Sequence, residues 1–515
     1  MYLSMKLLST LMRTCAKLIL SCMTLFQVER MNNNIKKNVV YQTIYRVLTV
    51  LTPLITSPIL SRALGADKLG IYSATITWVN YFMLLALLGI ENYGSRSIAI
   101  VQDNDEKRKQ TFWDIYAIQI ISSLLALGLY AVSLLFIAPE RHAIAIIHGL
   151  WLISYIINVN WYFIGIEEFR LTAIRNIITK VLAVVLIVLL IHKPEDLNLY
   201  ARIMAGDAVL TNLIILPFLF RDTGFRKPSF DGMKKHIKPI LILFVPIIAW
   251  SIFHLADKSL LDRFASETQS GYYYNADKII NIPLAVVTGL NTVFLPRISH
   301  VYSKGDRKEA GRLIGNSIEL MLFMACAIGI GIASVSKEFV PFFFGEGYEP
   351  VTQLIYWFTP VLFCNSLSEL IRYQYMIPKK LDKHYNLCVV IAAVCAVIAD
   401  FLLIPRLGPV GAVMGTLIGE ATIVVVELIV CHGHISFLGY LGKNIIYFIL
   451  AAAMFATVRA TASILNIRPL FKIAIMIMAG GAVYMIGCII YWCINRQSLF
   501  NEQVIRRVQR MFFNK

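Results

Sequence analysis

Apolar stretches follow one another along almost the whole chain, and most have the ~20 residues that a helix needs to cross the hydrocarbon core of a bilayer. About fourteen such stretches can be distinguished by hydropathy, and the polar segments between them are too short to fold independently. Because lipid offers the backbone no hydrogen bonds, each stretch is predicted to be a helix. The pattern predicts an all-α polytopic membrane protein whose chemistry depends on a few polar side chains inside the bundle.

The distribution of charge indicates how this bundle is oriented. Only 15% of the 515 residues are charged and 58% are apolar, yet the net charge is +17. With a cytoplasmic N-terminus, the basic residues concentrate in the segments predicted to be cytoplasmic, as the positive-inside rule requires. An even number of spans then places both termini in the cytoplasm. Because the basic excess faces the inner leaflet, it gives no reason to expect a nucleic-acid partner.

The polar segments and the grouping of the spans suggest how the chain is organised. Met31 opens a more typical start than Met1, so residues 1–35 are interpreted as an N-terminal extension from a start assigned too far upstream. The other predicted divisions are an N-lobe of six spans (36–220), a basic cytoplasmic linker (221–238), a C-lobe of six spans (239–430), spans 13 and 14 (431–494), and an amphipathic basic cytoplasmic tail (495–515).

A short internal echo supports the division into halves. The segment 59–62 ends in Arg62 and is followed by Gly70 and Tyr72. The segment 260–263 ends in Arg263 and is followed by Gly271 and Tyr273, at a constant offset of 201 residues. Both copies lie between the first and second spans of a set of six. Repeats of this kind place the substrate site of a transporter at their interface.

Several motifs, in this order and spacing, resemble bacterial polysaccharide flippases, the O-antigen or capsule repeat-unit transporters of the multidrug/oligosaccharidyl-lipid/polysaccharide exporter superfamily. The similarity extends from about residue 36 to the fourteenth span. The motifs are Ser61-Arg-Ala-Leu-Gly with Gly70-Ile-Tyr, Tyr93-Gly-Ser-Arg, Trp161-Tyr-Phe-Ile-Gly-Ile-Glu-Glu-Phe, Asp257-Lys-Ser-Leu-Leu, Gly271-Tyr-Tyr-Tyr-Asn-Ala-Asp-Lys, Thr292-Val-Phe-Leu-Pro-Arg-Ile-Ser and Leu403-Ile-Pro-Arg-Leu-Gly-Pro-Val-Gly-Ala.

The resemblance implies two six-helix lobes around a central cavity, with two appended helices, in the bacterial cytoplasmic membrane. It also implies an undecaprenyl-diphosphate-linked oligosaccharide that is moved from the inner to the outer leaflet by alternating access. Polysaccharide polymerases and glycosyltransferases of the same pathway would be partners, in addition to membrane lipids. Asp400 departs from the family pattern, which more often has asparagine at this position.

Basic residues inside spans are the candidate contacts for the diphosphate. A charge at the centre of a membrane helix costs ~2.5–3.5 kcal/mol on insertion scales, and a bound diphosphate compensates for that cost through charge-assisted hydrogen bonds. Arg46 and Lys278 each lie about two turns into a span and are the preferred candidates. Arg62 and Arg263 are also candidates, although their positions at predicted outer mouths suit basic side chains that reach toward headgroups.

Acidic residues inside spans are candidates for energy coupling, because burial favours the protonated form of a carboxyl group. The acids considered are Asp207, Asp257, Asp277, Glu319, Asp400 and Glu420. Neutralisation by an adjacent lysine is an alternative role for Asp257 and Asp277. Glu369 and Arg372 are three residues apart, a spacing that favours an intrahelical ion pair.

Other functions differ in what they require of the cavity. A lipid II flippase of the same fold would use the same cations, whereas a multidrug exporter would favour acids and aromatic residues, against which Arg46 and Lys278 argue. A membrane polysaccharide polymerase would need catalytic groups on a sizeable loop, and no such loop is evident. The nine cysteines form no CxxC pair, and no metal or other cofactor is predicted.

Overall fold

The computed structural model describes residues 33–289, 291–432 and 437–495. All of its regular structure is helical, which confirms the predicted fold class. The helices are α1 (Asn33–Leu87), α2 (Ile90–Val101), α3 (Asp105–Ser133), α4 (Pro139–Ile156), α5 (Asn160–Gly165), α6 (Phe169–Leu190), α7 (Leu197–Thr223), α8 (Phe230–Phe264), α9 (Glu267–Gly289), α10 (Asn291–Ser303), α11 (Arg307–Ala325), α12 (Gly331–Phe344), α13 (Glu349–Ile371), α14 (Asp382–Leu407), α15 (Pro409–Cys431), α16 (Phe437–Lys443), α17 (Ile446–Ile464) and α18 (Pro469–Ile494). Residues 1–32 and 496–515, which include most of the predicted extension and the predicted tail, lie outside the described residues.

Helix lengths account for the predicted number of spans. Twelve helical segments of the described chain are long and apolar enough to cross a membrane, and α8, bent by 42° near its middle, adds a thirteenth. The first segment, Leu48–Val101, has 54 residues, more than twice the ~20 that one crossing needs. It contains a break at Gly65, whose φ of +81° suits glycine. Counted as two spans, this segment brings the total to fourteen.

Two lobes of helices form the body of the molecule. The N-lobe comprises α1–α7, in which α1 packs against α3, α4 and α6. The C-lobe comprises α8–α15, in which α15 packs against α13 and α14. Gly411 lies so close to α14 that a Cβ there would overlap the backbone of Leu403, as expected for small residues at a helix interface in a membrane.

The bent helix α8 joins the two lobes. Its first half, Phe230–Val245, lies on the N-lobe, where the hydroxyl of Tyr93 and Nδ1 of His236 are 2.7 Å apart. Its second half, Ile247–Phe264, packs on α14 and α15 of the C-lobe. Pro246 lies between the halves in the sequence, and proline commonly bends a helix by removing a backbone hydrogen bond.

The last two spans attach to the side of the C-lobe. Tyr447 on α17 donates a hydrogen bond to Glu319 on α11 (2.9 Å), and Tyr484 on α18 donates one to the Phe323 carbonyl (2.9 Å). An ion pair of 2.8 Å joins Arg459 on α17 to Glu338 on α12. These contacts fit the prediction that two helices are appended to the twelve-helix body.

Candidate functional site: a cavity between the lobes

A chain of three adjoining cavities begins between the two lobes and ends in the C-lobe, which alone lines the third cavity. The first, of about 270 Å³, is lined by Tyr72, Asn80, Lys258 and Tyr274 among others. It shares Asn80 with a second cavity of about 320 Å³, which in turn shares Trp250 with a third of about 260 Å³. The chain of cavities thus combines aromatic, amide and charged side chains, which is typical of a ligand site.

Lys278, a preferred sequence candidate, lies beside the first cavity. Its Nζ is 4.0 Å from the ring centre of Tyr274, which lines that cavity, and the side chain is half-buried. Among the described residues it forms no ion pair. A desolvated ammonium over an aromatic ring gains up to ~2 kcal/mol but keeps its charge for a further partner. This lysine is therefore the least neutralised cation at the cavity.

A second lysine, Lys258 on α8, lines the same cavity. Its Nζ is 3.0 Å from Oδ2 of Asp277 on α9, and Asn281 donates a hydrogen bond of 2.9 Å to the other oxygen of that carboxylate. The candidate coupling acid Asp277 is thus neutralised by Lys258 from another helix rather than by its sequence neighbour. Together, Lys258 and Lys278 bring two cations and one carboxylate to this part of the site.

Asp257 lies next to Lys258 but is turned into the C-lobe. It is 4% exposed and accepts hydrogen bonds from the hydroxyl of Tyr273 and from the backbone N–H of Lys258 (2.7 Å). Asp400 on α14 is close enough for the two charges to interact, and its Oδ1 has no hydrogen-bond partner in the described chain. These two candidate coupling acids therefore form a buried pair behind the cavity wall.

The lobes meet at the end of the bundle where Gly65 and Gly345 lie, here called the closed end. A Cβ on Gly70 would overlap the backbone of Glu267, and a Cβ on Gly271 would overlap the backbone of Ala66. The two glycines of the sequence echo therefore cross at the contact between α1 and α9, where only glycine allows such a close approach.

Polar contacts reinforce this closed end. Arg141 on α4 forms ion pairs with Asp262 (2.6 Å) and Glu267 (3.0 Å) of the C-lobe. The candidate Arg62 is exposed and donates a hydrogen bond of 2.5 Å to the Phe342 carbonyl, whereas the candidate Arg263 is exposed at the end of α8. The structure thus places both arginines at the closed end and not with the lysines of the cavity.

The remaining sequence candidates lie elsewhere. Asp207 on α7 is within 3.7 Å of Lys180 on α6, inside the N-lobe. Glu319 lies under the appended helices, where Tyr447 donates to it. Arg46 belongs to α1, but its side chain lies outside the described part of the chain.

Three features of the site escaped the sequence analysis. From the sequence, Lys258 is noted only as a neighbour of Asp257, and no role is predicted for Arg141 or Trp250. The pattern of apolar and polar residues around them in α4 and α8 does not distinguish them from other polar residues of membrane helices. Only the crossing of helices from both lobes shows that these three side chains face a cavity or an interface.

A two-lobed helical bundle with a polar cavity that is closed at one end is the architecture of a membrane transporter. A family model described as "Polysaccharide biosynthesis protein" matches residues 35–302, more than half of the chain. The chain belongs to this family, in agreement with the resemblance to polysaccharide flippases that its motifs predicted.

Relatives and solved structures agree with this assignment. A protein of Escherichia coli (strain K12) named "Putative O-antigen transporter" is 21% identical over 403 residues, 76% of this chain and 96% of that protein. The lipid II flippase MurJ of Bacillus subtilis (strain 168) is 22% identical over 249 residues, which are 46% of this chain and 44% of that one. A structure of MurJ in an inward closed conformation is similar in fold, with a TM-score of 0.68, 17% identity and coverage of 88% and 98%. An inward-facing multidrug MATE transporter has a TM-score of 0.57, 15% identity and coverage of 80% and 98%.

Proposed function

We propose that this protein is a flippase that moves undecaprenyl-diphosphate-linked oligosaccharide repeat units from the inner to the outer leaflet for surface polysaccharide biosynthesis. The observation that carries the proposal is the pair of lysines at the cavity, Lys258 and Lys278, only the first of which is neutralised by a carboxylate. Family membership supports a lipid-linked cargo, and the relatives are named as transporters and flippases rather than enzymes.

The cavity suits an amphipathic anion in two ways. A diphosphate is negatively charged and would supply the anionic partner that Lys278 lacks among the described residues. Its oxygens accept charge-assisted hydrogen bonds. The second cavity offers Trp250 and the amides of Asn80 and Asn92, which can contact sugar rings and their hydroxyl groups. Arg46 is proposed to add a further cation from α1, while Arg62 and Arg263 are proposed to act at the closed end.

Alternating access follows from the way the lobes are joined. In this conformation the lobes meet at the closed end, while the opposite end is connected through α8. We assign the closed end to the outer side of the bacterial cytoplasmic membrane, so that this is an inward-facing state with both termini cytoplasmic. Parting of the Gly70–Gly271 crossing would then open the cavity outward.

Energy coupling is proposed to use acids of the C-lobe. Asp257 and Asp400 are the best placed of the sequence candidates, because they are buried together behind the cavity wall. Asp277 is tied to Lys258, and Asp207 is tied to Lys180. Glu319 serves the appended helices.

The test of cargo binding is the Arg46→Ala, Lys278→Ala double variant in a strain that depends on this protein for surface polysaccharide. Export is expected to be abolished while the amount of protein in the membrane stays normal. Lys68→Ala, at a partly exposed position three residues after the break at Gly65 in α1, is the control and should export normally. Full export by the double variant would contradict the assignment of these cations to the diphosphate.

The test of orientation uses single cysteines at two exposed positions, Ser266 at the closed end and Ser303 at the opposite end. An impermeant thiol reagent is expected to label the first in intact cells and the second only after permeabilisation. The unsubstituted protein measures labelling of the natural cysteines. Reversed labelling would overturn the proposed topology.

Lipid II is the alternative cargo, because both a curated relative and a solved structure of this fold are lipid II flippases. Its diphosphate would bind the same cations. Complementation separates the two cargoes: strains lacking an oligosaccharide flippase should recover surface polysaccharide, whereas strains depleted of their lipid II flippase should not recover growth. The opposite pattern would favour lipid II.

A further inference from the structure

Helix α15 buries two carboxylates that the transport site described above does not use. Glu420 and Glu427 are 2% and 0% exposed, and a separation of seven residues places them on one face of the helix. Asn365 donates a hydrogen bond of 2.9 Å to Oε1 of Glu420, but its Oε2 has no partner in the described chain. Neither oxygen of Glu427 meets a donor at full hydrogen-bond geometry there, and the hydroxyl of Ser368 is the polar group that lies near it.

A third acid, Glu369 on α13, is close enough to interact with both. The cation of this cluster is Arg372, whose Nη1 is 3.1 Å from Glu369 and whose charge also reaches Glu427. Several titratable groups face Glu420 and Glu427 from the surrounding helices. They are Cys364 and Glu369 on α13, Arg372 directly after α13, Tyr385 and Cys388 on α14, and Cys431 on α15.

The charges of this cluster do not balance if every acid is ionised. Arg372 is directly paired with Glu369, which leaves two carboxyl groups inside a membrane helix, where an ionised side chain costs ~2.5–3.5 kcal/mol on insertion scales. A proton on each removes that cost. A metal ion is a poorer counter-charge, since the described residues contain no group of three or more ligating side chains that could hold one.

We propose that Glu420 and Glu427 form a proton-binding site in the C-lobe, whose occupancy is communicated to the transport cavity through Arg372. The proton site stands on the burial of these two carboxyl groups and on the absence of an ion pair to either of them among the described residues. Its connection to transport rests on the proposed function.

Arg372 is placed to make this connection. It lines the third cavity together with Tyr385, and its guanidinium lies 4.5 Å from the centre of that ring. It also begins a turn of π-helix, Arg372–Met376, a distortion that is frequent at functional sites. An anion in the cavity would draw Arg372 away from Glu369, so the acid cluster would bind a proton more tightly. Reciprocity then requires that a proton on the cluster strengthens anion binding.

The proton site can be tested on the purified protein without any ligand, by infrared difference spectroscopy between low and high pH. The carbonyl band of protonated carboxylic acids is expected to change with pH in the wild type and to lose most of that change in the Glu420→Gln, Glu427→Gln variant. Glu338→Gln, which removes an ion-paired carboxylate on α12, is the matched control and should resemble the wild type. If the double variant shows the same pH-dependent change in this band as the wild type, the proposal is overturned.

Both glutamine variants keep the size and hydrogen-bonding capacity of the side chain, and thermal unfolding verifies that they fold. The connection to the cavity is tested with undecaprenyl diphosphate as the probe. Wild-type affinity should rise as pH falls, by up to about tenfold per pH unit for one linked proton. The double variant should lose the part of this pH dependence that comes from the acid cluster. The part that comes from protonation of the probe should remain the same in both proteins.

The possible results separate this inference from the proposed function. If the probe binds both proteins with equal pH slopes, the connection through Arg372 is wrong although the cargo assignment holds. If the probe does not bind the wild type, the cargo assignment is wrong, while the infrared result still decides the proton site.

Discussion

The two lobes are built from equivalent sets of helices, but their interior charged groups differ in how they are paired. In the N-lobe, two interior acids have partners: Oδ2 of Asp207 has Lys180 within 3.7 Å, and Asp114 accepts hydrogen bonds from the Ser229 backbone (2.6 Å) and from Gln110 (2.9 Å). Unpartnered atoms are not absent there, since Oδ1 of Asp207 and Nη1 of the buried Arg175 have no hydrogen-bond partner in the described chain. In the described part of the C-lobe, Asp400, Glu420 and Glu427 form no ion pair and each has at least one carboxyl oxygen without a hydrogen-bond partner, and Lys278 likewise forms no ion pair.

This difference suggests a division of labour. Unpaired groups are costly in a membrane, so a lobe that keeps several of them needs a ligand or protons to neutralise them. Apart from Glu91, which lines the second cavity, the N-lobe supplies an aromatic surface, in which Tyr72 lies 4.7 Å from Tyr200 and 6.1 Å from Tyr274 of the C-lobe, measured between ring centres. We infer that charge recognition depends mainly on the C-lobe, with Arg46 as the cation proposed from the N-lobe, and that the N-lobe otherwise shapes and closes the cavity.

The largest effect is expected from removing an unpaired charge of the C-lobe. Lys278→Met should lower export by at least about tenfold, because a hydrogen bond to a charged group contributes ~1.5–3 kcal/mol. Export of surface polysaccharide, normalised to the amount of protein in the membrane, measures the effect.

The matched control is the paired charge of the N-lobe. Replacing both partners, as in Lys180→Met, Asp207→Leu, should leave export within about twofold of the wild type, since substituting apolar residues for a buried ion pair is often close to neutral. Equal losses in both variants would show that the lobes do not differ in the way proposed.

The next effect concerns the crossing of the lobes at the closed end. Gly271→Ala introduces a Cβ that overlaps the backbone of Ala66, so the closed end should be held open. Labelling of a cysteine at Asn80, in the cavity, by an impermeant reagent added outside should increase several-fold. Gly206→Ala on α7 is the control, because its Cβ would meet nothing within 4 Å. Unchanged labelling in Gly271→Ala would mean that the crossing does not gate the cavity.

The sequence predicted the helices better than it predicted the site. Hydropathy sufficed for the spans, because lipid forces every crossing segment to be apolar and helical. The echo located Gly70 and Gly271, but their contact follows only from the crossing of α1 and α9. Lys258 was missed because its partner, Asp277, is on another helix, and sequence reasoning paired that acid with its neighbour Lys278 instead.

Ion pairs at the closed end should have a smaller effect than the glycine crossing. Arg141 is partly exposed, as are Asp262 and Glu267, and exposed pairs contribute ~0.2–1 kcal/mol each. Arg141→Ala should therefore raise outside labelling at Asn80 by no more than several-fold. The charge exchange Arg141→Glu with Glu267→Arg should restore part of the closure. If Arg141→Ala labels as strongly as Gly271→Ala, the ion pairs and not the backbone contact hold this end shut.

The smallest effect is expected from an acid of the C-lobe that does have a partner. Glu319→Gln keeps a side-chain oxygen that can accept the hydrogen bond from Tyr447, so only the charge at the contact with the appended helices is lost. Stability should change by about 1 kcal/mol or less, measured as a small shift in the midpoint of thermal unfolding, and export should be unaltered. Because Glu319 lies away from the cavity, a loss of export comparable to that of Lys278→Met would show that paired acids of the C-lobe also take part in transport, and the contrast between paired and unpaired charges would then fail.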